Sequence, residues 1–231
     1  MDGNMITATD PVNQADFDLL ATRDSATLGV MANAIWFADP KKLLFSMSRY
    51  KFVAKMFEGK KSAIEIGCAD AFFAPIVSQV VGKLTVTDYD PAFIDCAKKQ
   101  LKNLNSEFHY DAYVHDILKA PLPGGKYQVA YSLDVLEHIS ENQEDVFLSN
   151  IIASLHPEGE LIIGMPSLES QSYASLSSKA GHVNCKTGSD LKKTLEKYFH
   201  SVFLFSMNDE VVHTGFCKLA HYIFVVCANL K

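Results

Sequence analysis

The sequence predicts an α/β protein, a doubly wound and mostly parallel β-sheet covered by helices on both faces and preceded by further helices. Three observations carry this. Apolar residues recur at helical spacing up to about Phe57, short apolar strands then alternate with helical segments from Ser62 onward, and the turns between them are short. A length of 231 residues, 48% hydrophobic and 21% charged, supplies one generous core rather than two. The expected organisation is a helical cap or flank over residues 1–60 and a sheet domain over 61–231, with a serine-rich insertion near 167–188.

The first dozen residues are polar and expected to fray. Helical spacing begins at Ala15 with Phe17, Leu19 and Leu20, resumes at Val30, Ile35 and Trp36, and continues from Leu43 to Met56. Asp39-Pro40 interrupts it, with Asp39 as an N-cap and Pro40 at the first helical position. Ala63 to Ile66 then reads as a strand ending at Gly67, and Ala71 to Val81 as the helix after it. Leu84 to Thr87 is a second strand ending at Asp88, and Pro91 opens a helix reaching about Leu104. A third strand lies near Phe108 to Val114 and ends at Asp116; Gln128 to Ser132 is a fourth, followed by a helix over Val146 to Leu155. His156-Pro157-Glu158-Gly159 turns into a strand from Leu161 to Met165, which Pro166 ends. Leu191 to Tyr198 is helical, and Ser201 to Ser206 and His221 to Cys227 are the last strands. Between them, Ser167 to Gly188 holds six serines without periodicity and reads as a mobile loop beside the site.

Charge excludes some functions. The net charge is −6, and of 21 basic residues only Arg23 and Arg49 are arginines, which argues against a phosphate-tracking nucleic-acid binder or a polybasic membrane module. The expected partner is a small-molecule substrate, with no nucleic acid and no membrane, and with a homodimer allowed. Five cysteines (Cys68, Cys96, Cys185, Cys217, Cys227) include no C-x-x-C pair, so they read as buried thiols in a reducing, cytoplasmic compartment. The first twenty residues lack a signal peptide's basic and apolar regions, and the longest uncharged apolar stretch, near Ala220 to Leu230, is too short to span a bilayer.

In a doubly wound sheet, ligands sit beyond the carboxyl ends of the strands. The first such turn, Glu65-Ile66-Gly67-Cys68-Ala69-Asp70-Ala71, has only one of the three glycines a dinucleotide pyrophosphate requires. With Glu65 at the strand end and Asp70 in the loop, it suits a cationic ligand. Asp88 lies 21 residues beyond Gly67, close to the roughly 20-residue spacing at which an acid takes ribose hydroxyls. Asp116, in His115-Asp116-Ile117, is placed to accept from an exocyclic amine such as that of adenine. Adenine, ribose and a cationic tail together describe S-adenosylmethionine.

From about Ala63 to Ser167 the sequence resembles the class I S-adenosylmethionine-dependent methyltransferase family. The likeness rests on Glu65-x-Gly67-x-Ala69-x-Ala71, where two alanines replace family glycines, on Asp88 in VTDYDP, on Asp116, on the segment Ser132 to Ile139, and on LHPEGELIIGMPS. The resemblance implies a Rossmann-like, seven-stranded sheet with an antiparallel last strand. It implies S-adenosyl-L-methionine as cofactor, held by Glu65, Gly67, Cys68, Ala69, Asp70, Asp88, Tyr89, Asp116, Ile117 and Asp134.

Methyl transfer to a hydroxyl calls for a base, usually histidine. His213 ranks first, since Asp209 and Glu210 could orient it in a long connection between the last strands; His182 in the serine-rich insertion comes second and His138 third, the last with a structural role as its alternative. His221, inside an apolar strand, reads as a hydrogen-bonded core or pocket residue, and His109, His156 and His200 as surface residues. Arg49 beside Tyr50 offers a fork for a carboxylate or phosphate of cofactor or substrate. No His pair has tight ligand spacing with a carboxylate, so no metal is expected. The expected reaction is methylation of a small polar metabolite, a sugar or nucleotide-linked sugar of the kind used in polysaccharide biosynthesis. The alternatives are N-methylation of a phosphate-bearing amine, with Asp209 and Glu210 on the ammonium and Arg49 on the phosphate, and a non-catalytic cofactor-binding subunit.

Overall fold

A computed structural model describes residues 7–22, 26–102 and 110–231. Arg23, His109 and the start of the expected third strand lie outside the described residues. Helices α1 (Gln14–Thr22), α2 (Val30–Ala38) and α3 (Lys41–Met56) come first. The α2–α3 break falls where Asp39-Pro40 predicts it, and Asp39 Oδ1 accepts the Lys41 N–H at 3.1 Å.

The sheet is built from β1 (Ala63–Ile66), β2 (Leu84–Asp88), β3 (Tyr110–Val114), β4 (Tyr127–Leu133), β5 (Leu155–Pro166), β6 (Phe199–Asn208), β7 (Val211–His213) and β8 (Tyr222–Leu230). Their order is β3-β2-β1-β4-β5-β8-β6-β7. The first five strands pair in parallel, and β8 is antiparallel to both β5 and β6. The expected seven-strand count is corrected to eight among the described residues, because Asp209-Glu210 forms a tight turn that folds β7 back onto β6. The long connection predicted between the last two strands is built from that turn, β7 and a 3-10 turn over Cys217–Leu219.

All four β1 residues are buried, and their alternation feeds two cores. Ala63 packs on one face with Tyr50, Val53, Phe57 and Tyr131. Ile64 and Ile66 pack on the other with Phe147, Leu148 and Ile151 of α6 (Glu141–Ala153). At the rim, α4 (Ala74–Ser78) is shorter than the helix predicted over 71–81, with Pro75 in its first turn; α5 (Pro91–Lys102) follows β2. The turn expected at 156–159 is a bulge inside β5, since Tyr127 faces Leu155 while Val129 faces Glu160.

The serine-rich segment is built rather than irregular. It forms a 3-10 turn over Glu169–Tyr173 and helix α7 (Leu176–Gly181), ahead of α8 (Gly188–Glu196). Its serines satisfy backbone groups: Ser175 caps α7 by accepting from Ser178 N–H, and buried Ser167 donates to Ala220 O at 2.6 Å. Among the described residues no helix is long and apolar enough to cross a membrane.

Candidate functional site

The strand order reverses between β1 and β4, and a crevice at the carboxyl ends of the strands is expected there. A cavity of about 570 Å³ lies at that point, lined among others by Met31, Gly67, Ala69, Asp88, Tyr89, Phe93, Asp116, Ile117, Asp134 and His138. That volume falls in the range of small-ligand sites, roughly 300–1,000 Å³.

The loop after β1 forms the cradle. Gly67 has φ +79°, and a Cβ there would meet Val135 Cγ2 at 2.3 Å. Ala69 (φ 47°) and Ala71 (φ 54°) occupy the same left-handed region, so the two alanines keep the backbone that the family's glycines adopt freely, at the cost of strain. Asp88 ties the loop to β2: its Oδ2 accepts from Ala69 N–H and its Oδ1 from Asp90 N–H, each at 2.9 Å. Burial pushes the Asp88 carboxyl up, and these backbone donors pull against that. Asp116 accepts from Leu118 N–H at 3.0 Å and pairs with Lys119 at 3.0 Å, and Lys119 holds its pKa down.

Three residues assigned to the cofactor sit behind the cavity instead. Glu65 is 1% exposed, and Tyr50 and Tyr131 donate to its two oxygens at 2.5 and 2.8 Å. Burial nevertheless raises its pKa to about 7. Asp70 caps α2 from a distance: its Oδ2 accepts the Met31 and Ala32 N–H groups at 2.7 and 3.1 Å, and its Oδ1 accepts Phe72 N–H at 3.1 Å. Cys68 is buried, which pushes its thiol far up. Glu65 and Asp70, expected to present charge to a cationic ligand, are instead engaged by other elements. Through Asp70, though, the loop positions Met31, a wall residue that no sequence motif marks, and the same holds for Phe93.

The acceptor side departs further from expectation. Arg49 is not a free fork, because its Nη1 contacts both Asp134 oxygens at 3.0 and 2.7 Å. Its guanidinium carbon also lies 3.9 Å from the Tyr222 ring centroid, and Tyr50 is committed to Glu65. Asp134 has φ 57°, a strained turn at the end of β4 that carries its carboxylate to the cavity.

His213 is placed outside the cavity lining. Gly215 N–H donates to its Nδ1 and its Nε2 donates to Asn208 Oδ1, each at 2.9 Å, so both ring nitrogens are used locally. Asp209 and Glu210, exposed in the tight turn, are not its hydrogen-bond partners. His221 Nε2 is buried without a hydrogen-bond partner among the described residues, against the hydrogen-bonded reading, and burial followed by nearby Arg49 lowers its pKa.

His138 and His182 do come together, with rings edge to face and centroids 5.1 Å apart. His138 Nδ1 is 2.9 Å from Gly181 O and His182 Nδ1 is 2.8 Å from Gln171 Oε1. Burial, then His138, lowers the His182 pKa. Beside them Glu137 is 1% exposed with its Oε2 unpartnered among the described residues, and burial, then Asp134, pushes its carboxyl well above the usual range. One donor atom from each of Glu137, His138 and His182 lies within 4.8 Å of the others. The sequence shows no tight His spacing here, and the fold supplies the neighbour that linear spacing does not.

A family model described as a methyltransferase domain matches residues 64–163. The ubiquinone biosynthesis O-methyltransferase, mitochondrial, of Schizosaccharomyces pombe is 23% identical over 128 residues, 52% of this chain and 45% of that protein. The chain thus spans under half the length of this curated relative. The solved N-methyltransferase NodS from Bradyrhizobium japonicum WM9 aligns at TM-score 0.60 and 18% identity over 84% of this chain and 98% of that one, and another of its structures holds S-adenosyl-L-homocysteine. Small RNA methyltransferase HEN1 aligns at TM-score 0.68 and 17% identity over 80% of this chain and 25% of that one. Residues 64–163, which carry the left-handed loop, the Asp88 clamp and much of the switch-point cavity wall, are thus similar to a methyltransferase domain, and the sheet has the Rossmann-like fold of these solved methyltransferases.

Proposed function

We propose that this protein methylates a hydroxyl of a small polar acceptor, a sugar being the favoured class, which enters at the Asp134–His138–His182 end of the cavity. Gly67, Ala69, Asp88, Tyr89, Asp116 and Ile117 would hold the cofactor, which supplies a methyl carbon already activated by its sulfonium. The chain then has to hold the acceptor close and aligned, exclude water and receive a proton. The observation that carries the acceptor assignment is the pair of histidines. Each has Nδ1 engaged by an oxygen acceptor, so in the neutral ring each Nε2 is left with a lone pair. Arg49 and Tyr222 keep the Asp134 carboxylate in place along this wall.

A net charge of −6 with two arginines supports a small acceptor over a nucleic acid. Five free cysteines support a reducing compartment. The amine reading loses support, because Arg49 is held by Asp134 and because Asp209 and Glu210 lie in the β6–β7 turn.

Incubation with radiolabelled S-adenosylmethionine and a metabolite extract tests the proposal. An O-methylated small product is expected. Tight S-adenosylhomocysteine binding without any labelled product would instead favour a non-catalytic cofactor-binding subunit.

A further inference from the structure

We infer that Glu137, His138 and His182 bind one divalent first-row transition-metal ion, and that its open coordination positions take the acceptor's oxygen. The second part rests on the proposed methyl transfer; the first stands on geometry alone.

The donor set fits such an ion. Two imidazoles and one carboxylate, with one donor atom of each mutually within 4.8 Å, form an N₂O set that suits zinc, manganese, iron or cobalt and leaves positions free. Hard Mg²⁺ prefers oxygen ligands and octahedral hydration, so it is a poor match.

The orientation of each ligand is also that of a metal site. A ligating histidine ordinarily donates its other ring N–H to a carbonyl or carboxylate, which fixes the tautomer. His138 Nδ1 faces Gly181 O, an atom that can only accept, so Nδ1 carries the proton and Nε2 the lone pair. For His182 the partner is Gln171 Oε1, and its amide orientation is set independently, because Nε2 of Gln171 donates to Ser167 O at 3.2 Å. His182 Nδ1 is therefore also the donor. The serine-rich segment thus acquires a use, since it supplies both the second histidine and the group that orients it.

A further observation points to a cation. Glu137 is 1% exposed, yet its Oε2 is buried with no hydrogen-bond partner among the described residues. A buried carboxylate oxygen left unpaired is costly unless a cation or donor completes it. Its backbone is rigidly tied to the histidine-bearing segment, with Glu137 O accepting from Val183 and Asn184 N–H at 2.8 and 3.0 Å. His138 and Asp134 both line the cavity, which puts the cluster at its wall. An ion there would favour an oxygen acceptor over an amine and would lower the pKa of a bound hydroxyl, in place of a free imidazole base.

The test titrates the chelator-treated full chain with ZnSO₄, MnCl₂ and CoCl₂ by calorimetry, without cofactor or acceptor, and follows the visible bands of Co²⁺. One ion per chain is expected, unaffected by millimolar MgCl₂. His182→Ala and Glu137→Gln should each weaken binding at least about tenfold, as should Gln171→Ala, which removes no ligand. S-adenosylhomocysteine binding and circular dichroism show that each variant is folded. Wild-type protein that binds S-adenosylhomocysteine but none of the three ions at millimolar concentration would overturn the metal site, as would ion binding indifferent to all three substitutions. Metal bound at this cluster with no methyl product from any acceptor would uphold the site and refute the methyl-transfer reading.

Discussion

Replacing Ala69 with glycine should make this protein more stable, against the usual rule that glycine weakens a fold. Ala69 sits at φ 47°, where an L-residue carries about 1–2 kcal/mol of strain. Glycine removes that strain but gives back about 0.4–1 kcal/mol through its greater freedom in the unfolded chain. The net gain for Ala69→Gly lies between about 0 and 1.6 kcal/mol, centred near 0.8. Ala71, at φ 54° and 1% exposed, carries the same strain but would also lose a buried methyl worth about 0.8 kcal/mol, so Ala71→Gly should come out near zero. Ala69→Val puts a branched side chain into the left-handed region and should cost about 2 kcal/mol. Urea midpoints for the three variants, with unchanged m-values, read these differences directly. A loss of stability in Ala69→Gly, or a neutral Ala69→Val, would refute a left-handed loop at this position.

Asp70→Ala strips the acceptor from the N–H groups of Met31, Ala32 and Phe72 and should cost about 2 kcal/mol in denaturation, with Asp70→Asn recovering most of it as a good helix cap. Asp88→Ala should weaken S-adenosylmethionine binding by about 1.5–3 kcal/mol in calorimetry, and undiminished affinity would remove Asp88 from the site. Glu65 has its pKa raised to about 7 from an ordinary 4.5, so the folded chain holds that proton more tightly than the unfolded one. Its contribution to stability should fall as pH rises from about 4.5 to 7 and level off above; in Glu65→Gln, urea midpoints measured across that window should lose this slope.

The alternation of strands and helices, the cradle loop and the acids that end β2 and follow β3 are legible in the amino-acid sequence alone. Each of these is local: a short apolar strand followed by a turn places its last residues at the carboxyl edge of a parallel sheet wherever the rest of the chain goes. Gly67, Asp88 and Asp116 were legible for that reason, and the structure finds all three on the cavity wall. What the remaining charges and histidines do depends on contacts that form when the chain folds. Glu65 and Asp70 look like ligand groups until Tyr50, Tyr131 and the start of α2 are brought against them. His213 looks well placed until a two-residue turn folds it beside Asn208 at the sheet edge. His182 gained its place beside His138 only because backbone bonds to Glu137 dock residues 183 and 184 against the turn after β4. A side chain's role depends on which atoms surround it, and those atoms come from segments whose separation in sequence carries no record of their distance in space.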